Sequence, residues 1–342
     1  MTLEQYSKLV DPALTSRAGE WAGPLFIVGM PRSGTKLLRG LLSKHPRIRI
    51  LPAETDFLPF IEQWTEQHGE PVTAEAFEQF ANAMSGANYF NFRPEVRGPF
   101  RWQDWRSACN GRFDVSSLFE GFARHELDAQ RGSGVIWADK SPAYIRQIPL
   151  IQRHFPTGRI LHIARDVRDH CVSMRNAWGK DIRRSAWRWG KDVLTAHHQC
   201  LRMPERCLEV RFEEVLQDPD TQMRRICLFL GLKFLPGLTE LSHSVEQRGY
   251  AAGRTEIMRD NFRKFEARLT PHEIKSIESL AWDCMQAMGY APVRAKQQRK
   301  MSALTQYMLK LKDGAHLVAS GMSRRGVVAA VRLHATHQRM AG

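Results

Sequence analysis

A chain of 342 residues, 43% hydrophobic and 25% charged, has the composition of a globular protein; it is long for one domain, but a single α/β core with insertions can fill it. No run of about 18 apolar residues offers a membrane-spanning helix, and the opening MTLEQYSKLVDPALTSRAGEW has neither the basic start nor the apolar core of a secretory signal, so a cytoplasmic protein is expected. The net charge of +14 is uneven, because residues 291–342 hold ten Lys or Arg and one acid, Asp313, leaving about +5 for the rest.

The mildly basic body suits a small anionic ligand, and the basic tail suits a polyanion or an anionic membrane surface such as the inner face of a cell membrane. A solvated tail is the bland alternative. The six cysteines, at 109, 171, 200, 207, 227 and 284, include no C-x-x-C pair and suggest neither a zinc site nor a disulfide framework, so reduced thiols are expected.

In chain order, short apolar runs bounded by turn residues predict buried parallel strands at 25–29, more weakly at 48–51, then at 135–138, 160–164 and 207–212. Helical spacing predicts helices over 36–44, 143–154, 167–178, 184–201, 220–230 and 270–288, the last opened by Thr270, Pro271 and Glu273. The alternation implies a three-layer α/β sandwich, with a parallel sheet of about five strands and helices on both faces. In such sheets ligands bind at the carboxyl ends of the strands, here just after Gly29, Ala138, Ala164 and Phe212. Residues 54–134, rich in Trp and Phe, interrupt the alternation and read as a largely helical insertion, either an acceptor-binding cap or a satellite core.

Two segments carry the chemistry. In Leu25-Phe-Ile-Val-Gly-Met-Pro-Arg-Ser-Gly-Thr-Lys36, a strand, a glycine-bearing loop and a helix start aim backbone N–H groups and a helix dipole at an anion. Gly29 and Gly34 keep the Walker spacing, but Thr35 precedes Lys36, which reverses the Walker order and argues against a phosphoryl-transferring kinase. In Ile160 to Ser173, Arg165 ends a strand and Ser173 lies about two helical turns on, a pair able to grip a second phosphate. Surface ion pairing of Arg165 and Asp166 is the alternative.

Together these segments resemble the sulfotransferases that use 3′-phosphoadenylyl sulfate (PAPS), more the tyrosylprotein-sulfotransferase-like and bacterial group than the cytosolic phenol and steroid enzymes. The likeness runs from about residue 24 to 292, with further matches at Val210-Arg-Phe-Glu-Glu-Val-Leu-Gln-Asp-Pro219, at Phe229-Leu-Gly-Leu232 and at Lys264 through Tyr290. It implies a P-loop-like sulfotransferase domain over 1–292, with a basic extension over 293–342. It implies that Arg32, Ser33, Gly34, Thr35 and Lys36 hold the 5′-phosphosulfate, that Arg165 and Ser173 hold the 3′-phosphate, that Phe212 packs on adenine and that Lys264 reaches the phosphates. Lys36 stands where the family usually has a second threonine.

The resemblance also implies a general base at Glu54, with Asp56 as its neighbour and competitor, and a leaving-group cation at Lys140. A structural salt bridge is the bland role for Glu54, and a solvent lysine before Pro142 that for Lys140. The implied reaction is in-line sulfonate transfer, stabilised by Arg32 and Lys140, to a hydroxyl of a carbohydrate or other metabolite, with adenosine 3′,5′-bisphosphate as product, no metal and no nucleic-acid partner. A protein-tyrosine or lipid sulfotransferase, a P-loop kinase and a non-catalytic polyanion-binding protein are the alternatives.

Overall fold

The computed structural model describes residues 21–93, 98–246 and 249–325. Five parallel strands form one sheet: β1 (Leu25–Gly29), β2 (Ile48–Ile50), β3 (Ile136–Lys140), β4 (Arg159–Ala164) and β5 (Cys207–Arg211). Their order is β2-β3-β1-β4-β5, so β1 lies at the centre between β3 and β4. Val28 pairs with His162 and Ile27 with Lys140, which brings the ends of the three central strands to one edge of the sheet.

The strands are apolar on both faces because helices cover both. Leu25 and Ile27 point into one core with Leu38, Leu41, Leu161 and Val210. Phe26 and Val28 point into the other. On the first face lie α1 (Thr35–Leu42), α10 (Phe212–Gln217) and α11 (Pro219–Leu230). α11 starts at a Pro behind the Asp218 cap and stops at Gly231 in the left-handed region. On the second face pack α7 (Ile148–His154), α8 (Val167–Trp178), α9 (Ile182–Leu201), α13 (Pro271–Leu280) and α14 (Trp282–Ala287). The single helix read over 270–288 is two, broken at Ala281, where Gly190 of α9 brings its backbone close. Thr270 and Glu273 form the expected cap at its start.

The insertion holds α2 (Leu58–His68), α3 (Ala74–Met84), α4 (Asn88–Phe92), α5 (Trp102–Ala108) and α6 (Val115–Leu127). Phe77, Phe80, Trp105 and Phe122 are fully buried and join the core of the second face. Most of its aromatics therefore act as core, with Phe92 exposed; only its first residues reach the site described below. After β5 and α11, residues 232–264 run without regular structure in their described part, up to the short α12 (Phe265–Arg268). Finally α15 (Ala303–Arg325) packs on α9.

The expectation of six reduced thiols fails at one pair. Cys200, near the end of α9, and Cys207, at the start of β5, are disulfide-bonded across a tight turn that sets their Cα atoms 5.0 Å apart. Cys109, Cys171, Cys227 and Cys284 are free and buried. No helix among the described residues is long and apolar enough to cross a membrane.

Candidate active site

The first loop leaves β1 where there is no room for a side chain: a Cβ on Gly29 would fall 2.4 Å from the Ile163 carbonyl oxygen. Arg32 and Gly34 then take positive φ angles, 71° and 100°, and the chain enters α1 with no side-chain cap. The first N–H groups of α1 thus have no side chain to satisfy them, which is what an anion site requires. Ser33 is fully buried, and its Oγ has no hydrogen-bond partner among the described residues. Gly34 is packed by Phe212, whose ring would meet an added Cβ at 2.3 Å.

Arg32 is the centre of the arrangement. Its Nε donates to Ser173 Oγ at 3.1 Å and its Nη1 to Glu246 Oε2 at 2.7 Å. Arg165, at the end of β4, donates from Nη1 to the Arg32 carbonyl (3.3 Å) and from Nη2 to the Asn261 carbonyl (3.0 Å). Its guanidinium lies 4.6 Å from the centre of the Phe212 ring. Lys264 lies over the Tyr250 ring, and partial burial, aided by the Arg165 charge, lowers its pKa to about 8.

Across Arg32, Lys140 is almost completely covered and its ammonium is paired with Glu54. A hydrogen-bond network fixes that pair. Thr55 Oγ1 donates to Asp139 Oδ2 at 2.7 Å and its N–H to Ser141 Oγ at 2.9 Å. With the Thr55 proton so used, Tyr144 OH donates to Thr55 Oγ1 (2.7 Å) while itself accepting from the Leu58 N–H (3.0 Å). Glu54 is thereby held over the end of β3. Asp56, two residues beyond Glu54, has a φ of 53° and a buried Oδ1 without a hydrogen-bond partner among the described residues. Burial, then the Glu54 and Asp139 charges, raises its pKa to about 7. Burial lowers the pKa of Lys36, and the nearby Lys140 and Arg32 add to the shift.

Two pockets meet at Arg32. One, lined by Arg165, Ser173, Phe212, Tyr250, Asn261 and Lys264, runs under the irregular segment before α12. The other is lined by Lys36, Glu54, Asp56, Tyr144, Arg146 and Trp178. Arg32, Gly34 and Glu246 border both.

The profile of the Sulfotransferase family matches residues 24–236, well over half of the chain. The chain belongs to the sulfotransferase family. Among relatives, the putative protein-tyrosine sulfotransferase of Caenorhabditis briggsae is 24% identical over 223 residues, 61% of this chain and 66% of that protein. Protein-tyrosine sulfotransferase 1 of Danio rerio is 23% identical over 240 residues, 67% of this chain and 58% of that protein. The chain thus spans less than two thirds of the length of these relatives. In fold, it is similar to the sulfotransferase domain of the curacin biosynthetic pathway, with a TM-score of 0.54 and 19% identity, over 80% of this chain and 99% of that domain.

Within this sulfotransferase fold the residues singled out from sequence are gathered around Arg32, with differences of detail. Ser173, expected beside Arg165 at a second phosphate, is bonded to Arg32. Lys140 does not face either pocket directly; Glu54 stands between it and the crevice. Thr35 and Lys36 line the Glu54 side, whereas Ser33 lies beneath the loop. Phe212 begins α10 instead of ending a strand. His162 is fully buried and bonds Glu209 at 2.8 Å, a core role on the second face of the sheet. It forms a cluster with Cys200 and Glu209, but the Cys200 sulfur is already bonded to Cys207.

Sequence reasoning missed Glu246, Tyr250 and Asn261, because the segment that carries them has no periodicity and no motif. It also missed the Asp139–Thr55–Tyr144 network, although the Asp139-Lys140 pair at a strand end was a readable signal.

Proposed function

We propose that the protein transfers a sulfonate group from PAPS to a hydroxyl-bearing acceptor. The observation that carries this is the meeting of two pockets at Arg32, with the Glu54–Lys140 pair on one side and Arg165, Ser173 and Lys264 on the other. The Arg165 side has an aromatic ring and several cations, the complement of an adenosine with two phosphates. The Glu54 side offers a carboxylate to a proton. Family membership supports this reading.

In this mechanism the N–H groups at the start of α1 and Arg32 hold the 5′-phosphosulfate where the two pockets join. Glu54 accepts the acceptor proton as the new S–O bond forms, which frees Lys140 from its carboxylate partner. Lys140 then neutralises the bridging oxygen as the S–O bond to the bisphosphate breaks. The work is positioning and electrostatics, so these residues need no metal to perform it.

The acceptor pocket combines charged groups, Lys36, Asp56 and Arg146, with the aromatic faces of Tyr144 and Trp178. This suits a carbohydrate or another polar hydroxylated metabolite. A tyrosyl hydroxyl is the second reading, favoured by the names that the curated relatives carry. Calorimetry with adenosine 3′,5′-bisphosphate and with ATP, then transfer of labelled sulfonate to sugars, small alcohols and tyrosyl peptides, tests the proposal. Binding of the bisphosphate with indifference to ATP is expected; tight ATP binding with no response to the bisphosphate would sink it.

A further inference from the structure

The long helix α15 has two different faces. Leu309 and Asp313 are buried against the body. Asp313 receives the Arg184 guanidinium at 2.9 Å and the Asp181 N–H at 3.0 Å, and Lys312 pairs with Asp181 at 3.5 Å. The chain leading to α15 is also tied down, since the buried Glu278 accepts the N–H groups of Val293, Arg294 and Ala295. The helix is therefore a fixed part of the molecule.

The opposite face is apolar and is left exposed by the described residues. Leu304, Tyr307, Met308 and Leu311 are 69%, 60%, 61% and 55% exposed. Their spacing of three, one and three residues stacks them in one stripe along the helix. At about 100° per residue, Lys310 and Lys312 fall on opposite flanks of that stripe. The residues just before the helix add Arg294, Lys296, Arg299 and Lys300, all exposed. The one acid from residue 291 onwards is Asp313, buried on the inner face.

We infer that this outer face of α15 docks on the surface of an anionic phospholipid bilayer. An apolar stripe with a lysine on either flank, next to the exposed Arg294, Lys296, Arg299 and Lys300, is the pattern of a helix lying in the interfacial plane, its apolar residues among the acyl chains and the cationic groups beside it at the phosphates. A second copy of the chain fits less well, because two such faces would bring lysines together with no exposed acid to meet them. Docking would also place the bilayer beside the reaction. His316 of α15 lies against Gly179 at the end of α8, and the preceding Trp178 lines the acceptor pocket.

The test is sedimentation of the full chain with vesicles of phosphatidylcholine, with and without phosphatidylglycerol. Binding is expected to the anionic vesicles and to weaken with salt. Replacing Leu304, Tyr307, Met308 and Leu311 together by Gln should reduce it by roughly tenfold or more, since affinity follows the apolar area inserted. Lys310→Gln should reduce it by about fivefold at low salt, the worth of one lysine near such a surface. Affinity for adenosine 3′,5′-bisphosphate should be unchanged in both variants, which shows the fold intact and keeps this test separate from that of the proposed activity. Undiminished vesicle binding by the fourfold variant overturns docking through α15. So does a concentration-dependent dimer that this variant abolishes while the parent ignores vesicles, or retention on a soluble polyanion with no vesicle binding.

Discussion

Glu54 and Lys140 form an ion pair in which the lysine side chain is 2% exposed and the carboxylate 36%. The base proposed for the acceptor and the cation proposed for the leaving group thus neutralise each other before substrates arrive. Transfer of a proton to Glu54 would release Lys140, so in the proposed reaction its two ends would be coupled through one hydrogen bond.

Lys140→Ala should therefore lower the rate constant for sulfonate transfer by about a hundredfold or more. Bisphosphate affinity should stay within about threefold, because Lys140 lies behind Glu54 and outside the Arg165 pocket. Single-turnover rates and calorimetry on the same sample separate the two effects. A variant that transfers at the parental rate removes Lys140 from the mechanism.

Glu246 presents a carboxylate to Arg32 where the phosphosulfate is proposed to lie. An incoming anion must displace it. Glu246→Gln should tighten bisphosphate binding by about fivefold, the worth of one partly exposed ion pair. Weaker binding in this variant would show that Glu246 supports the site instead of competing for it.

The Lys264 pKa, lowered to about 8 by burial, gives a pH signature. Phosphate favours the protonated amine. Binding should be strongest below pH 8 and fall as pH rises through that value, with proton uptake accompanying binding near pH 8. Lys264→Met should bind more weakly and lose this dependence. Titration of affinity from mildly acid to alkaline pH decides it.

Asp56 titrates at about 7, well above the ordinary carboxylate range. A carboxyl whose folded pKa lies above its unfolded one binds its proton more tightly when folded. That contribution to stability is full below about pH 4 and is lost as pH rises through 7. Asp56→Asn keeps the shape and suits the positive φ. Above pH 7 the variant should be the more stable, by up to about 4 kcal/mol, and below pH 4 the gap should close. Thermal melting at both ends of the range tests this.

The strands were legible because short, mainly apolar runs bounded by turn residues mark them, even where Arg49, His162 and Glu209 interrupt the pattern. β3 extends two residues past the expected end because Asp139 and Lys140, which read as turn residues, find partners inside: Thr55 for one and Glu54 for the other. Arg32, Arg165 and Ser173 were legible because strand–loop–helix motifs mark them. Glu246 and Tyr250 were not, because an irregular segment is positioned by what it packs on: Val245 would touch a Cβ on Gly40 at 2.5 Å. The Cys200–Cys207 bond was equally hidden, since only the return of the chain from α9 into β5 brings the two sulfurs together.

The strand order also settles which parts of the molecule can vary independently. Lys140, the Gly29 loop and Arg165 issue from three neighbouring strands, β3, β1 and β4. Hydrogen bonding fixes adjacent strands about 4.8 Å apart. The backbone ladder is thus a ruler that sets the intervals between Lys140 behind Glu54, the Gly29 loop and Arg165, and so between the two phosphate positions proposed for the donor. Glu54, Asp56, Tyr144, Arg146 and Trp178 lie in connections outside that ladder. Mutational drift in those connections could retune the acceptor while the donor stays on its rule.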